Sequence, residues 1–257
     1  MFRTFRALAV CLLAALGLVA AAPEAQAQST ITKAQREVLI FQVDLSQGDA
    51  AQRAFYDFVE FSAVSLAQLN FGPNYNRVHT VSGAQATRAR LTSKLREIAQ
   101  VPTVRAVDLV FVTHGLSGEV SFSDQRVSMT SVRNDILAGL TAAQRAKLRM
   151  VFSTACYGES HRARWIGAGF KVVSGSRAIY ADSATSYLPF LLSWANGGTF
   201  VQAVTAANLA DPLRLQDAAA KPILFMAGFA AWNDVDSFRL VTAVSAAATN
   251  LRINTML

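Results

Sequence analysis

Short, almost wholly apolar runs alternate along this chain with longer stretches whose apolar positions recur every three or four residues. The run within Glu37–Ser46 has strand length, and Ala50–Leu69 follows with Phe55, Phe58, Val59, Val64, Leu66 and Leu69 at helical spacings. Val78–Val81 predicts a second strand, and Thr87–Ala99 a helix with Leu91, Leu95 and Ile98 on one face. Val107–His114 is apolar enough to be buried on both faces, the mark of a strand inside a parallel sheet. Val120/Phe122 and Val127/Met129 alternate around residues 123–126, which predicts a hairpin, and a helix follows near Ser131–Ala138. Thr141 and Gln144 have the spacing of a capping box.

Arg149–Cys156 is another buried strand, followed by a helix over Ser160–Ala168 and a strand over Phe170–Gly175. Ser183–Trp194 and Thr199–Asn208 read as helices separated by Asn196-Gly197-Gly198, with Pro189 an expected disturbance in the first. The last fifty residues carry one or two strands and an Ala-rich stretch at Ala243–Ala248; Ile223–Trp232 reads as a core segment. Strand and helix alternating over this length predict an α/β fold, a mostly parallel sheet with helices on both faces. No repeat, linker or shift of composition divides it, so residues 28–257 are expected to form one domain.

Composition changes the picture at the N-terminus. The chain has 257 residues, 52% hydrophobic and 16% charged, with 14 Gly and six Pro, which excludes disordered and low-complexity classes. Arg3 and Arg6 precede an uncharged apolar run, Ala7–Ala22, and Ala25-Gln26-Ala27 supplies a small-x-small cleavage site. Residues 1–27 are expected to be a signal peptide, so the protein is expected to be exported, to a periplasm or the medium. An uncleaved N-terminal anchor is the alternative. No later apolar run has membrane-spanning length, so no stable membrane insertion is expected after cleavage.

Loss of the leader takes two Arg and one Glu, and the formal charge falls from +7 to +6. The remaining Arg residues are scattered, with no basic block or aromatic-interleaved stripe, so nucleic acid is not an expected partner. The leader also takes Cys11 and leaves Cys156 as the one thiol of an exported chain, unable to form an internal disulfide. Such a cysteine is buried and inert, paired with another chain, or kept for its reactivity.

The chemistry gathers at two strand ends. Leu109–Thr113 delivers His114-Gly115, and Met150–Thr154 delivers Ala155-Cys156. Ligands collect at the carboxyl ends of strands in open α/β sheets. If the two strands are parallel neighbours, His114 and Cys156 emerge side by side, and the imidazole can manage the proton of a nucleophilic thiol. Gly115 lets a carbonyl approach the backbone, and its N–H with that of Cys156 can form an oxyanion hole.

A hydrophobic strand ending in His-Gly, followed about 40 residues later by one ending in Ala-Cys, resembles the caspase, legumain and gingipain clan of cysteine peptidases. The intervening hairpin and helix fit that pattern. Val173–Tyr187 resembles the segment of legumain-type enzymes where a strand leads into a Ser- and acid-bearing substrate loop. The resemblance spans roughly residues 107–208 and implies a caspase-like fold. It further implies an endopeptidase acting through a His114–Cys156 dyad and a thioester, with peptide or protein substrates and no cofactor. It implies Ser176 and Asp182 as candidate substrate contacts, Asp182 as a wall of the specificity pocket; a helix N-cap or turn aspartate is the ordinary explanation of Asp182. One position departs: several members carry Asp or Glu two residues before the nucleophile, and here that residue is Thr154. A preference for a basic residue or Asn therefore does not carry over.

Other candidates have ordinary explanations. His161 is expected to face solvent beside Arg162 and Arg164, His79 to be structural, and Glu159 to be a first-turn helix acid. Three separated His and one Cys lack metal-ligand spacing, so no metal site is expected. An α/β-hydrolase with a Cys nucleophile is a rival reading, since His114–Gly118 resembles its oxyanion loop. That fold wants Gly where Thr154 stands and a catalytic His after the nucleophile, and no His follows His161. A non-catalytic binding or scaffold module on the same fold is the other alternative.

Overall fold

The computed structural model describes residues 28–45, 50–181, 183–226, 228 and 230–257. The expected leader, residues 1–27, and Asp182 lie outside the described residues. The chain enters through a two-residue strand, β1 (Ser29–Thr30), and then builds β2 (Arg36–Gln42), α1 (Ala50–Phe71), β3 (Arg77–Ser82), α2 (Arg88–Ala99) and β4 (Ala106–Val112). A small antiparallel sheet of β5 (Gly115–Leu116), β6 (Glu119–Ser121) and β7 (Arg126–Ser128) precedes α3 (Met129–Gly139) and α4 (Ala142–Ala146). Next come β8 (Leu148–Ser153), α5 (Gly158–Ala168), β9 (Val172–Ser176), α6 (Ser183–Ala195), α7 (Phe200–Leu209) and α8 (Leu215–Met226). The chain closes with β10 (Arg239–Ala243), α9 (Ala246–Thr249) and β11 (Thr255–Met256), which pairs with β1.

The main sheet has the order β10-β9-β8-β4-β2-β3. All its neighbours are parallel except β10, which runs antiparallel to β9 at one edge. Every residue of β2, β4, β8 and β9 is buried, as largely apolar runs predict for strands covered on both faces. The register separates the two faces. Val110 lies opposite Phe152 and Phe111 opposite Ser153, so Phe111 and Phe152 point to opposite sides. Phe111 packs edge-on to Trp165 of α5, whereas Phe152 stacks on Phe190 of α6 with ring centroids 3.9 Å apart. The first face carries α2, α3 and α5, and the second α1, α6 and α7.

Order along the sheet reverses between β2 and β4: β3 lies to one side of that pair, and β8 and β9 to the other. A doubly wound sheet opens a crevice beyond the carboxyl ends of its strands at such a switch point. Helix starts follow local sequence: Thr87, Ser128, Thr141 and Thr199 cap α2, α3, α4 and α7, and Thr141 and Thr199 form full capping boxes with Gln144 and Gln202.

Two local expectations are corrected. Pro189 does not interrupt α6, whose buried Phe190, Leu191 and Trp194 continue the helix past it into the core. Ile223–Trp232 is not a core segment: Ile223, Phe225 and Met226 on α8 are exposed, because the helix lies outside the layers that cover the sheet. No helix among the described residues is long and apolar enough to cross a membrane.

Candidate active site

Parallel pairing sets Phe111 opposite Ser153, and the Thr154 amide donates to the Phe111 carbonyl at 2.9 Å. Three residues beyond that matched pair lie His114 on one strand end and Cys156 on the other. A Cβ on Gly115 would come within 2.5 Å of the Cys156 carbonyl oxygen, so glycine alone permits the two ends to lie this close.

The turn that carries the thiol is held from several sides. Tyr157 has φ 53° and ψ 27°, a left-handed conformation uncommon for a bulky residue, and it opens α5. Its amide donates to the Ala178 carbonyl at 2.7 Å and its hydroxyl to the Asp234 carboxylate at 3.0 Å. Burial first, and then Asp234, push the Tyr157 phenol up to about 12. Behind the turn, Gly158 rests on Gly175 of β9, with no room for a Cβ on either residue.

Segment 177–181 passes alongside, and the Tyr180 amide donates to Cys156 Sγ at 3.4 Å. That bond favours a thiolate, but burial outweighs it and pushes the thiol above its ordinary value. Under this segment lies Arg239, buried, with its guanidinium 3.9 Å from the Phe152 ring centroid and 4.8 Å from that of Tyr180. It also donates to Ser174 Oγ at 2.9 Å and to the Ser153 carbonyl.

His114 Nε2 lies 3.2 Å from the Leu45 carbonyl, just beyond the end of β2. A carbonyl oxygen only accepts, so Nε2 carries the proton and Nδ1 is the basic nitrogen. Burial holds the imidazole below its ordinary value; the Leu45 carbonyl and Asp44 oppose that shift and Arg126 adds to it. Tyr56 of α1 stands edge-on to the imidazole, ring centroids 5.2 Å apart, and its own phenol is raised by burial and by the nearby thiol. A raised thiol and a lowered imidazole each favour the neutral form.

Gly115 and Val120 face each other across the small sheet, and the Ser121 amide bonds the His114 carbonyl at 3.0 Å. Antiparallel pairs alternate between bonded and non-bonded, so Gly115 sits in a non-bonded pair and its N–H points away from β6. The structure thus brings His114, Gly115 and Cys156 together at one rim.

The remaining candidates are placed elsewhere. Ser176, expected to touch substrate, is fully buried: its hydroxyl bonds the Ala155 and Ala178 carbonyls at 3.2 and 2.9 Å, because it closes the turn beneath the site. His161, expected to face solvent, is fully buried, since α5 turns this position toward Leu116 rather than outward. His79 pairs with Glu37 at 2.6 Å on the far side of the sheet. Glu159 is an exposed first-turn acid paired with Arg162 at 3.1 Å. Among the described residues no group of three or more His, Cys, Asp or Glu could hold a metal ion.

Sequence reading missed Leu45, Tyr56, Tyr157, Tyr180 and Arg239. Leu45 and Tyr180 act through backbone groups, which leave no trace in side-chain identity. Tyr56 and Arg239 arrive from elements distant along the chain. A bulky residue after Cys156 is no signal of left-handed backbone.

No protein-family model and no curated protein matches this chain. Among solved structures it is similar to caspase-1 from Spodoptera frugiperda, with a TM-score of 0.52 at 11% sequence identity. The match covers 84% of this chain and 88% of that one. The chain therefore has a caspase-like fold.

Proposed function

We propose that this protein is an exported cysteine endopeptidase in which His114 and Cys156 form the dyad. The observation that supports this reading most is the matched ending of β4 and β8, which leaves an imidazole and a thiol at adjacent positions on one rim.

The neutral resting pair suits a mechanism in which the proton moves as the bond forms. Cys156 Sγ attacks the peptide carbonyl while His114 Nδ1 takes the thiol proton; the new S–C bond leaves a tetrahedral oxyanion facing the Gly115 and Cys156 amides. The imidazolium then gives its proton to the leaving nitrogen as the C–N bond breaks, and a thioester remains. Water attacks next, its proton going to His114; the S–C bond breaks and the proton returns to sulfur. The Nε2 bond to Leu45 holds the ring in one tautomer throughout, a task a carboxylate performs in many triads. Export rests on residues 1–27 and is tested by N-terminal sequencing of protein from the envelope or medium, with Gln28 expected first.

One observation favours a second reading, a non-catalytic module: burial weakens Cys156 as a nucleophile. An electrophilic peptide probe and a peptide library separate the two. Labelling and cleavage that need both Cys156 and His114 support the peptidase, and labelling indifferent to His114→Ala supports the module.

A further inference from the structure

His161 lies on α5, four residues into the helix that Tyr157 opens, and is 0% exposed. Its Nε2 is 2.8 Å from the Leu116 carbonyl, which again fixes the proton on Nε2. Nδ1 is buried without a well-formed hydrogen bond, and the Glu119 backbone beside the ring only partly offsets the burial that disfavours the charged imidazole. The ring also packs under Gly115: a Cβ there would lie 3.0 Å from His161 Cε1. A second, outer tie joins the same elements, from the Gly118 amide to Ser160 Oγ at 2.8 Å. A packed apolar side chain would fill this position without burying an unpaired nitrogen, a cost of about 1–3 kcal/mol that the fold sustains here.

Those contacts have one geometric consequence. Gly115 follows His114 on the β4 side, while His161 belongs to the helix that follows Cys156 on the β8 side. The imidazole therefore ties the segment bearing one half of the site to the segment bearing the other. We propose that His161 is a positioning residue for peptide hydrolysis. Its Nε2–H bond to Leu116 and its ring beneath Gly115 fix where the Gly115 amide stands relative to Cys156. This rests on the peptidase reading of the site and adds to it a residue that touches no substrate.

Displacing a group in such a site by about 1 Å costs roughly 100-fold in rate. The test compares His161→Leu, which fills the space without a donor, with His161→Gln, whose amide can still reach the Leu116 carbonyl. Both are assayed in the full chain for kcat and KM on a cleaved peptide, for affinity to a matching peptidyl aldehyde, and for Cys156 alkylation by iodoacetamide. His161→Leu is expected to lower kcat about 10- to 100-fold and to weaken the aldehyde, whose adduct carries the oxyanion, by a similar factor. KM and alkylation should change less than threefold or so, and His161→Gln should recover most of kcat. A merely structural role would lower thermal stability and leave kcat, measured well below the unfolding range, unmoved. Unchanged kcat and aldehyde affinity in His161→Leu overturn the proposal. Wild-type protein without Cys156-dependent hydrolysis overturns the peptidase reading beneath it, a different result.

Discussion

The two ends of the parallel sheet handle buried polar groups in opposite ways. Near the amino ends of β4 and β8, Asp108 and Arg149 are both fully buried and joined as a bidentate ion pair. Tyr75 donates to the same carboxylate at 2.6 Å, and Trp194 Nε1 donates to the Tyr75 hydroxyl at 2.7 Å. Arg149 goes on to the carbonyls of Arg252, Ile253 and Thr255, tying down the C-terminal strand. The Asp108 and Arg149 charges match each other, and the polar groups around them are hydrogen-bonded. At the carboxyl ends burial favours the neutral thiol and imidazole, Tyr157 holds a left-handed backbone, and His161 buries a nitrogen without a well-formed hydrogen bond. Saturated networks consolidate a fold, whereas strain and incomplete pairing persist where the surrounding structure imposes them, as they do at functional sites. The contrast assigns stability to the lower rim, and the proposed function puts the chemistry at the upper.

The largest expected effect lies at the upper rim and leaves the lower untouched. Cys156→Ala and His114→Ala should each lower kcat by roughly three orders of magnitude or more, because members of a catalytic unit fail together. Urea midpoints of both should stay close to wild type, since neither side chain completes a packed network. Cleavage by Cys156→Ala at the wild-type rate would sink the dyad.

Arg149→Met reverses that pattern. It strands the Asp108 carboxylate in the core and removes the donor to three carbonyls, so a loss of about 3–5 kcal/mol is expected from urea denaturation. Adding Asp108→Leu should recover part of the loss by removing the stranded charge, while the carbonyls at 253 and 255 still lack the Arg149 donor. At urea concentrations where the variant is still folded, the rate of Cys156 alkylation should match wild type. A stability loss below about 1 kcal/mol would mean that the ion pair does not consolidate the lower rim.

These two ends were unequally legible in the sequence. Apolar runs exposed the buried strands, so the α/β sheet followed from local pattern; the His-Gly and Ala-Cys endings marked where the chain leaves two of them, and the resemblance they carry implied the caspase-like fold. Asp108 and Arg149 stand inside those runs as isolated charges, and their pairing depends on the strand order, which no local pattern carries. The same holds for His161. Flanking Arg162 and Arg164 suggest a wetted helix face, yet a step of one residue on a helix turns the side chain by about 100°, enough to put His161 inside. Ile223–Met226 failed for the complementary reason: an apolar run shows what a segment could bury, not that another layer will cover it.

The pH dependence sharpens the upper half of the comparison. Burial raises Cys156 and lowers His114, so the thiolate fraction near neutrality should fall below that of an exposed thiol. Alkylation by iodoacetamide in the absence of substrate should therefore keep rising with pH beyond about 8.5, where an ordinary thiol is half ionised. Hydrolysis by the proposed dyad needs neutral His114. Its lowered pKa moves the acid limb of kcat/KM below the ordinary imidazole value of about 6.5, so activity persists under mildly acidic conditions and is lost as pH falls through that lowered value. A flat alkylation rate from about pH 5 to 8 would reveal a preformed thiolate–imidazolium pair and break the account of a neutral dyad.

The smallest effect tests whether the strain beside Cys156 is consolidated like the lower rim. Tyr157 adopts φ 53°, which costs a non-glycine residue about 1–2 kcal/mol. Tyr157→Gly removes that cost but loosens the unfolded chain and loses the hydroxyl bond to Asp234. These contributions oppose one another, so stability should stay within about 1 kcal/mol of wild type. Hydrolysis responds differently, because the Tyr157 amide bond to Ala178 and the onset of α5 together aim Cys156. A more permissive backbone at that position spreads the thiol over more orientations, and kcat should fall several-fold, on the order of what a small misplacement of a reacting group costs. Measuring urea midpoint and kcat on the same preparation separates the two. A stability loss above about 2 kcal/mol with unchanged kcat would place Tyr157 with Arg149, among residues that hold the fold, and move the boundary between the two ends of the sheet past the nucleophile itself.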